Sequence, residues 1–190
     1  VLDDSGQRDG QNAKHTVGAL YDLIAPPANK PEAKPGEWNS ARIRIKDGVL
    51  QHFLNGMKVV ETRIDDEQWR EMISASKFKQ WPGFGLETKG RIALQDHGDD
   101  VWYRNIKVRR LDVPIPGEAA LFNGKDLTGW SAFVPDLSNK HQDPVSIWTV
   151  QDGVLVCKGE PAGYIHTVGD YTNFVLKLEW RGRPGARKRG

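Results

Sequence analysis

A turn that carries an amide, a carboxylate and an imidazole is the most evident chemistry in this sequence. Two strand-like segments, residues 91–94 and 101–107, flank Gln95, Asp96 and His97. This arrangement predicts that the three polar groups lie at the rim of a sheet, within reach of a polar ligand. Because imidazole titrates near neutrality, His97 is a candidate general acid or base. A histidine that only holds its own turn is the alternative, and Asp96 is better explained as a turn cap.

A second candidate lies on an alternating strand near the end of the chain, residues 174–180. Its apolar side chains share one face, and they are Phe174, Leu176, Leu178 and Trp180. Glu179 has the opposite parity, so in a two-layer sandwich it should point to the open, concave side. We expect a base or a metal ligand there, and a surface charge explains the residue equally well.

The elements around these candidates are short strands separated by Gly, Asn and Asp. Residues 41–64 read as three strands joined at Asp47-Gly48 and Asn55-Gly56, dipeptides that accept the positive φ angles of tight turns. Residues 147–156 repeat the pattern around Asp152-Gly153. One helix is expected at about residues 67–75. Asp65 and Gln68 resemble its capping box, and Trp69, Met72 and Ile73 form its apolar stripe. Many strands and one short helix predict an all-β sandwich.

The composition narrows the class of partner. The 190 residues fit one domain or two small ones, and the net charge of +2 is too small to indicate nucleic acid. The basic tail 181–190 is best explained as a solvated loop. No apolar run approaches the ~18–20 residues of a membrane span. The chain opens at Val1 without the features of a signal peptide.

Cysteine and histidine give little evidence for a metal centre. Cys157 is the single cysteine and lies in an apolar run, so it should be a small core residue. The other histidines are not spaced like zinc ligands, and these are His15, His52, His141 and His166. No cofactor is expected with certainty, although a divalent metal remains an open interpretation.

Several motifs together resemble one protein family. They are Leu121-Phe-Asn-Gly-Lys-Asp-Leu-Thr-Gly-Trp130, Trp148-Thr-Val-Gln-Asp-Gly-Val-Leu155, Phe174-Val-Leu-Lys-Leu-Glu-Trp-Arg181, Gly18-Ala-Leu-Tyr-Asp22, Lys34-Pro-Gly-Glu-Trp-Asn39, His52-Phe-Leu-Asn-Gly56 and the run from Gly90 to Lys107. The chain resembles the 3-keto-disaccharide hydrolase domain, also described as a 3-keto-glucoside 1,2-lyase and 3-keto-2-hydroxy-glucal hydratase. The resemblance implies a concanavalin A-like jelly roll. It also implies a bacterial protein in the periplasm or outside the cell.

The order of the motifs departs from that family. Residues 1–110 resemble the C-terminal part of the family domain and residues 121–190 its N-terminal part, with 111–120 as a linker. Two strands that normally lie between these parts are absent. The chain could be the junction of two tandem domains, a circular permutant, or a homodimer that exchanges strands. We favour one sandwich built from both parts.

The resemblance also implies a reaction. A 3-keto group acidifies the C2–H of a glycoside, so a base can remove that proton and the C1 substituent can leave, after which water adds. His97 and Glu179 are the expected catalytic groups. The expected carbohydrate-binding residues are Gln95, Asp4, Tyr21, Glu37, Trp38 and Arg104.

Two of the expected binding residues, Trp38 and Arg104, have simpler alternatives. Trp38 could stack on a pyranose ring or pack in the core, and Arg104 could meet an enolate or make a cross-strand ion pair. Because the same jelly roll occurs in lectins, the alternative function is a non-catalytic carbohydrate-binding module.

Overall fold

The computed structural model describes residues 8–95, 98–114, 117–134 and 147–184. An antiparallel meander forms its first sheet, from strands β1 (Asn39–Lys46), β2 (Val49–Leu54) and β3 (Met57–Arg63). Asp47 and Asn55 have φ of 51° and 45°, the left-handed values that such turns need. The predicted meander and its turn residues are therefore confirmed.

The meander extends into the larger sheet of the molecule. Its further strands are β5 (Val101–Arg110), β6 (Glu118–Ala120), β8 (Trp148–Gln151), β9 (Val154–Cys157) and β11 (Phe174–Gly182). The order is β3-β2-β1-β11-β5-β9-β8, and β6 also pairs with β5. Strand β11, from the C-terminal part of the sequence, thus lies between two strands from the N-terminal part. Whether the two parts are those of a permuted family domain stays a prediction.

A smaller sheet packs against the first. It contains β4 (Ala93–Gln95), β7 (Trp130–Phe133) and β10 (Tyr164–Thr167), in the order β4-β10-β7. Between the sheets lies one apolar cluster, whose most buried members are Val101, Ile106, Trp148, Leu155, Cys157 and Ile165. The expected all-β jelly-roll sandwich is confirmed, and so is the buried position of Cys157.

The predicted helix is α1 (Glu67–Ser74), and its cap differs from the expectation by one residue. The side chain of Asp66, not Asp65, accepts a bond of 2.9 Å from the backbone N–H of Trp69. Trp69 is buried and donates its indole N–H to the carbonyl oxygen of Gly85 at 2.8 Å. Within the described ranges, no helix has the length and apolar character needed to cross a membrane.

A β-bulge in β5 decides which side chains share a face with β11. The register of the two strands shifts between Lys177 and Glu179, because β5 has one extra residue there. Asn105 lies at the bulge with φ of 52°. As a result, Arg104 and Lys107 point to the same face of the sheet, although they are three residues apart.

Candidate functional site

The outer face of the larger sheet, away from the core, carries a cross-strand row of polar side chains. Ser40 of β1 is the partner of Glu179 of β11, which is the partner of Arg104 of β5. Arg104 Nε donates to Glu179 Oε2 at 2.5 Å. The two side chains are 40% and 33% exposed, so the pair is open to a ligand. The cross-strand ion pair considered for Arg104 is present.

Trp38 precedes β1 and supports this pair through its ring. The guanidinium carbon of Arg104 lies 4.0 Å from the ring centroid, and that of Arg181 lies 5.0 Å from it. Arg181 also lies 5.1 Å from the ring centroid of Trp102. Such contacts between a cation and an aromatic ring are attractive. In this structure Trp38 packs on guanidinium groups, and stacking on a sugar stays a prediction.

A groove of about 430 Å³ lies on the same face and is lined by Glu179, the partner of Arg104. Glu179 lines one end, and Phe53 and Arg42 line another part, with the guanidinium of Arg42 at 3.6 Å from the ring centroid of Phe53. The remaining lining residues are Ser40, Ala41, Gly56, Asn105, Lys107, Glu118, Lys177 and Leu178. The groove therefore combines an aromatic ring, charged groups and small polar groups, as sugar sites do.

Glu118 closes one side of the groove from the edge strand β6. Its carboxylate lies 2.5 Å from Lys177 Nζ and 3.6 Å from Lys107 Nζ. The bond from Lys177 is the main reason that the pKa of the Glu118 carboxyl is lowered. Sequence reasoning missed this residue because it belongs to the linker-like segment 111–120.

Tyr21 belongs to a different cluster. Its ring stacks on His15 with a centroid distance of 4.3 Å, and Lys77 Nζ lies 4.1 Å from the ring centroid. Asp22 accepts from the ring nitrogen of His15 at 3.1 Å and from the backbone N–H of Lys77 at 3.1 Å. The bond from His15 is the largest cause of the lowered pKa of Asp22. His15, Asp22 and Lys77 were not predicted to meet, and the non-glycine φ of 63° at Asp22 marks the turn that brings them together.

The structure places the remaining predicted site residues as follows. Gln95 is exposed at the end of β4, and its neighbour Leu94 points to the core, so Gln95 lies on the other face of the smaller sheet. Gln95 and Glu179 therefore point outward from two sheets that pack against each other, so the structure does not bring them together, and the role of each stays a prediction. Glu37 is exposed beside Trp38, and its carbonyl oxygen accepts from the side chain of Asn39 at 3.0 Å. Asp4, Asp96 and His97 lie outside the described residues.

No group of three or more His, Cys, Asp and Glu side chains lies together among residues 8–95, 98–114, 117–134 and 147–184. The donor pattern there thus offers no cluster to which the suggested divalent metal can be assigned.

Comparison with known proteins gives a family. A family model described as the 3-keto-alpha-glucoside-1,2-lyase-like domain matches residues 1–109 and 117–188. The chain belongs to this family. The short gap between the matched segments, residues 110–116, overlaps the predicted linker 111–120. The resemblance inferred from the motifs is therefore confirmed.

This 3-keto-alpha-glucoside-1,2-lyase-like domain is also similar to a curated protein. A "3-keto-disaccharide hydrolase" from Bacteroides thetaiotaomicron is 41% identical over 126 residues. The alignment covers 59% of this chain and 43% of that protein. The chain thus spans less than half the length of the relative that it matches.

Proposed function

We propose that this domain cleaves 3-keto-glycosides by elimination followed by hydration, or by net hydrolysis. The observation that carries the proposal is the Arg104–Glu179 pair, which puts a proton acceptor that lines the groove beside a positive charge. The family of the chain and the name of its relative give the substrate class.

The chemistry assigns one step to each member of the pair. The carboxylate of Glu179 takes the C2 proton of the 3-keto sugar, and the electrons of the C2–H bond form an enolate whose negative oxygen is at C3. The guanidinium of Arg104 faces that oxygen and stabilises its charge. When the enolate re-forms the ketone, the C1–O bond breaks and leaves a C1–C2 double bond. Water then adds across this double bond.

The departing oxygen needs a proton, and His97 is the proposed donor. Asp4, Glu37 and Trp38 are proposed to bind sugar hydroxyls at this groove, whereas Gln95 on the smaller sheet and Tyr21 in the His15 cluster are proposed as binding residues apart from it. Of these, Trp38 lies next to the pair, because its ring contacts the guanidinium of Arg104. The partner is a carbohydrate, and a periplasmic or extracellular location is proposed from the family alone.

The test is release of the aglycone from a 3-keto-glucoside, with and without divalent metal ions. Glu179→Gln keeps the side-chain size but removes the proton acceptor, so we expect a loss of about 100-fold or more. Glu61→Gln is the matched control, since Glu61 lies on β3 and bonds to Gln51 and Lys58 outside the groove. Solvent deuterium should appear at C2 of the product if elimination followed by hydration is the route. Full activity of Glu179→Gln would remove this residue from the mechanism.

A non-catalytic carbohydrate-binding module is the second candidate. It is favoured by the fact that Arg104 and Glu179 already bond to each other, which makes the pair a ready hydrogen-bonding surface without a free base. Binding of plain glucosides, together with no turnover of any 3-keto-glucoside by the intact protein, would favour this function.

We also propose strand exchange as a route to a homodimer. Strand β11 pairs with β1 and β5, and the same pairs would form if residues 121–184 of two chains changed places. Shortening the joining segment 111–117 would then shift a sizing-column profile toward the dimer. An unchanged monomer peak at all protein concentrations would argue against exchange.

A further inference from the structure

Three cations stand side by side on neighbouring strands of the groove. Arg42 of β1 is the partner of Lys177 of β11, and Lys177 is the partner of Lys107 of β5. All three line the groove. Like charges directly opposite each other destabilise a sheet, so this row costs stability unless it serves another purpose.

The carboxylates of the groove do not balance this row. Glu118 contacts both lysines, but Glu179 is held by Arg104. No described carboxylate lies within ion-pair distance of Arg42, which rests on the ring of Phe53. The neighbouring row adds Arg44 and Arg109 on either side of Val175. This part of the outer sheet face therefore has an excess of positive charge, although the whole chain is nearly neutral.

The contact of Glu118 with Lys107 and Lys177 shows that these cations can bind an oxyanion. Its carboxylate sits between the two ammonium groups at 2.5 and 3.6 Å, which is the geometry of an oxyanion bound by two lysines. Both lysine side chains are about half exposed, so a ligand in the groove can reach them. Lys177 and Glu179 are two residues apart on one strand, or about 6.6 Å. That spacing is comparable to one sugar ring with its substituents.

We propose that Arg42, Lys107 and Lys177 form a subsite for an oxyanion group on the sugar, namely a carboxylate, a sulfate ester or a phosphate ester. This proposal rests on the proposed function, because it takes the groove as the sugar-binding site. A substituent bound there places the adjoining ring toward Glu179. Glu118 occupies the same ammonium groups, so it competes with the ligand anion and sets the affinity. The substrate class is thus an acidic saccharide.

Calorimetric titration tests the subsite without turnover. The probes are cellobiose, its derivative with a carboxylate at C6, its C6 sulfate and C6 phosphate esters, and inorganic sulfate alone. Because none carries a 3-keto group, failure here leaves the cleavage reaction untouched. We expect at least one charged disaccharide to bind at least about fivefold more tightly than cellobiose, with the gap shrinking as salt is added. The three charged probes distinguish the oxyanions from one another.

Variants that are expected to change the affinity in opposite directions make the test specific. Arg42→Gln and Lys107→Gln should each weaken the charged disaccharide about two- to fivefold and leave cellobiose unchanged. Glu118→Gln should instead strengthen it by a similar factor, which general damage to the fold cannot do. Lys79→Gln, an exposed lysine outside the groove, is the matched control. The proposal would be overturned if the charged disaccharides bound no more tightly than cellobiose, or if inorganic sulfate alone bound as tightly as the charged disaccharides. Weaker binding of the charged disaccharide by Glu118→Gln would also overturn it.

Discussion

Arg104 Nε and Glu179 Oε2 lie 2.5 Å apart, and the two residues are direct partners on antiparallel strands β5 and β11. They are separated by 75 positions in the sequence, so only the fold brings them together. Their backbones fix the Cα positions, and the ring of Trp38 lies 4.0 Å from the guanidinium carbon of Arg104. The position of the Arg104 guanidinium therefore depends on three separate segments of the chain.

Replacement of Trp38 should loosen the guanidinium of Arg104. Trp38→Leu removes the aromatic face, and we expect the rate of 3-keto-glucoside cleavage to fall by about tenfold, since small displacements of catalytic groups are costly. Trp38→Phe keeps an aromatic face and should retain most of the rate. Trp81→Leu is the control, because Trp81 is 51% exposed and does not line the groove. Equal rates for Trp38→Leu and Trp38→Phe would show that the ring does not position Arg104.

The bulge at Asn105 should matter for stability. Its φ of 52° is tolerated by Asn and Gly, whereas a β-branched residue is strained there. We expect Asn105→Val to lower the free energy of unfolding by about 1–2 kcal/mol, and Asn105→Gly to change it little. Urea unfolding measures both. Equal stability of the two variants would contradict a left-handed residue at this position.

The parts of the fold that could be predicted are those with local causes. Asp47-Gly48 and Asn55-Gly56 specify their turns through their own backbone preferences, and the alternation of residues 174–180 specifies a buried face. The structure confirms the turns and buries Phe174, Leu176 and Trp180. The alternation is incomplete, because Leu178 is only half-buried and Val175, expected on the opposite face, is buried. Local patterns therefore gave the class of fold and the side of β11 on which Glu179 lies.

The parts that could not be predicted depend on contacts between distant segments. No local pattern says that β11 lies between β1 and β5, and nothing in the sequence announces the extra residue of β5 at Asn105. Without these two facts, the partner of Glu179 cannot be chosen among several arginines. The contact of Glu118 with Lys177 depends on the same strand order, and so it was missed as well.

Asp126 should make the domain sensitive to strong acid. Its carboxylate accepts from the side chain of Asn123 at 2.7 Å and from the backbone N–H of Thr128 at 2.9 Å. Hydrogen bonds from Thr128 and Asn123 lower its pKa from 3.8 to about 2. A lowered carboxyl pKa contributes stability that is present above pH 3.8 and is lost as the pH falls toward 2.

Two measurements check this linkage at Asp126. Asp126→Asn should be less stable than the wild type at neutral pH, and the difference in the urea midpoint should shrink below about pH 4. Asn123→Ala removes a donor, so the pKa of Asp126 read from its carboxyl carbon by NMR should rise. An unchanged NMR titration in Asn123→Ala would show that this side chain does not stabilise the ionised form.

His52 should make the stability of the domain depend on pH in the mildly acidic range, well above the pH at which Asp126 acts. It lies between Ile43 and Val60 on neighbouring strands, and its Nδ1–H donates to the carbonyl oxygen of Gly18 at 3.3 Å. Burial disfavours the charged ring and is the main cause of its lowered pKa. Below pH 6.5, the usual value, the unfolded chain therefore binds a proton that the folded chain rejects. Stability must fall as the pH drops from about 7 to 5.

The variant that tests this effect is His52→Gln, which removes the titrating ring. We expect it to be somewhat less stable at pH 7.5 because packing is lost, yet its urea midpoint should change less than that of the wild type between pH 7.5 and 5. Val60→Ala weakens the same strand pair without removing a titrating group, so it should keep the pH dependence of the wild type. If His52→Gln and the wild type lost stability in parallel, the proton uptake would have to belong to another histidine, and the burial of His52 would not govern the response.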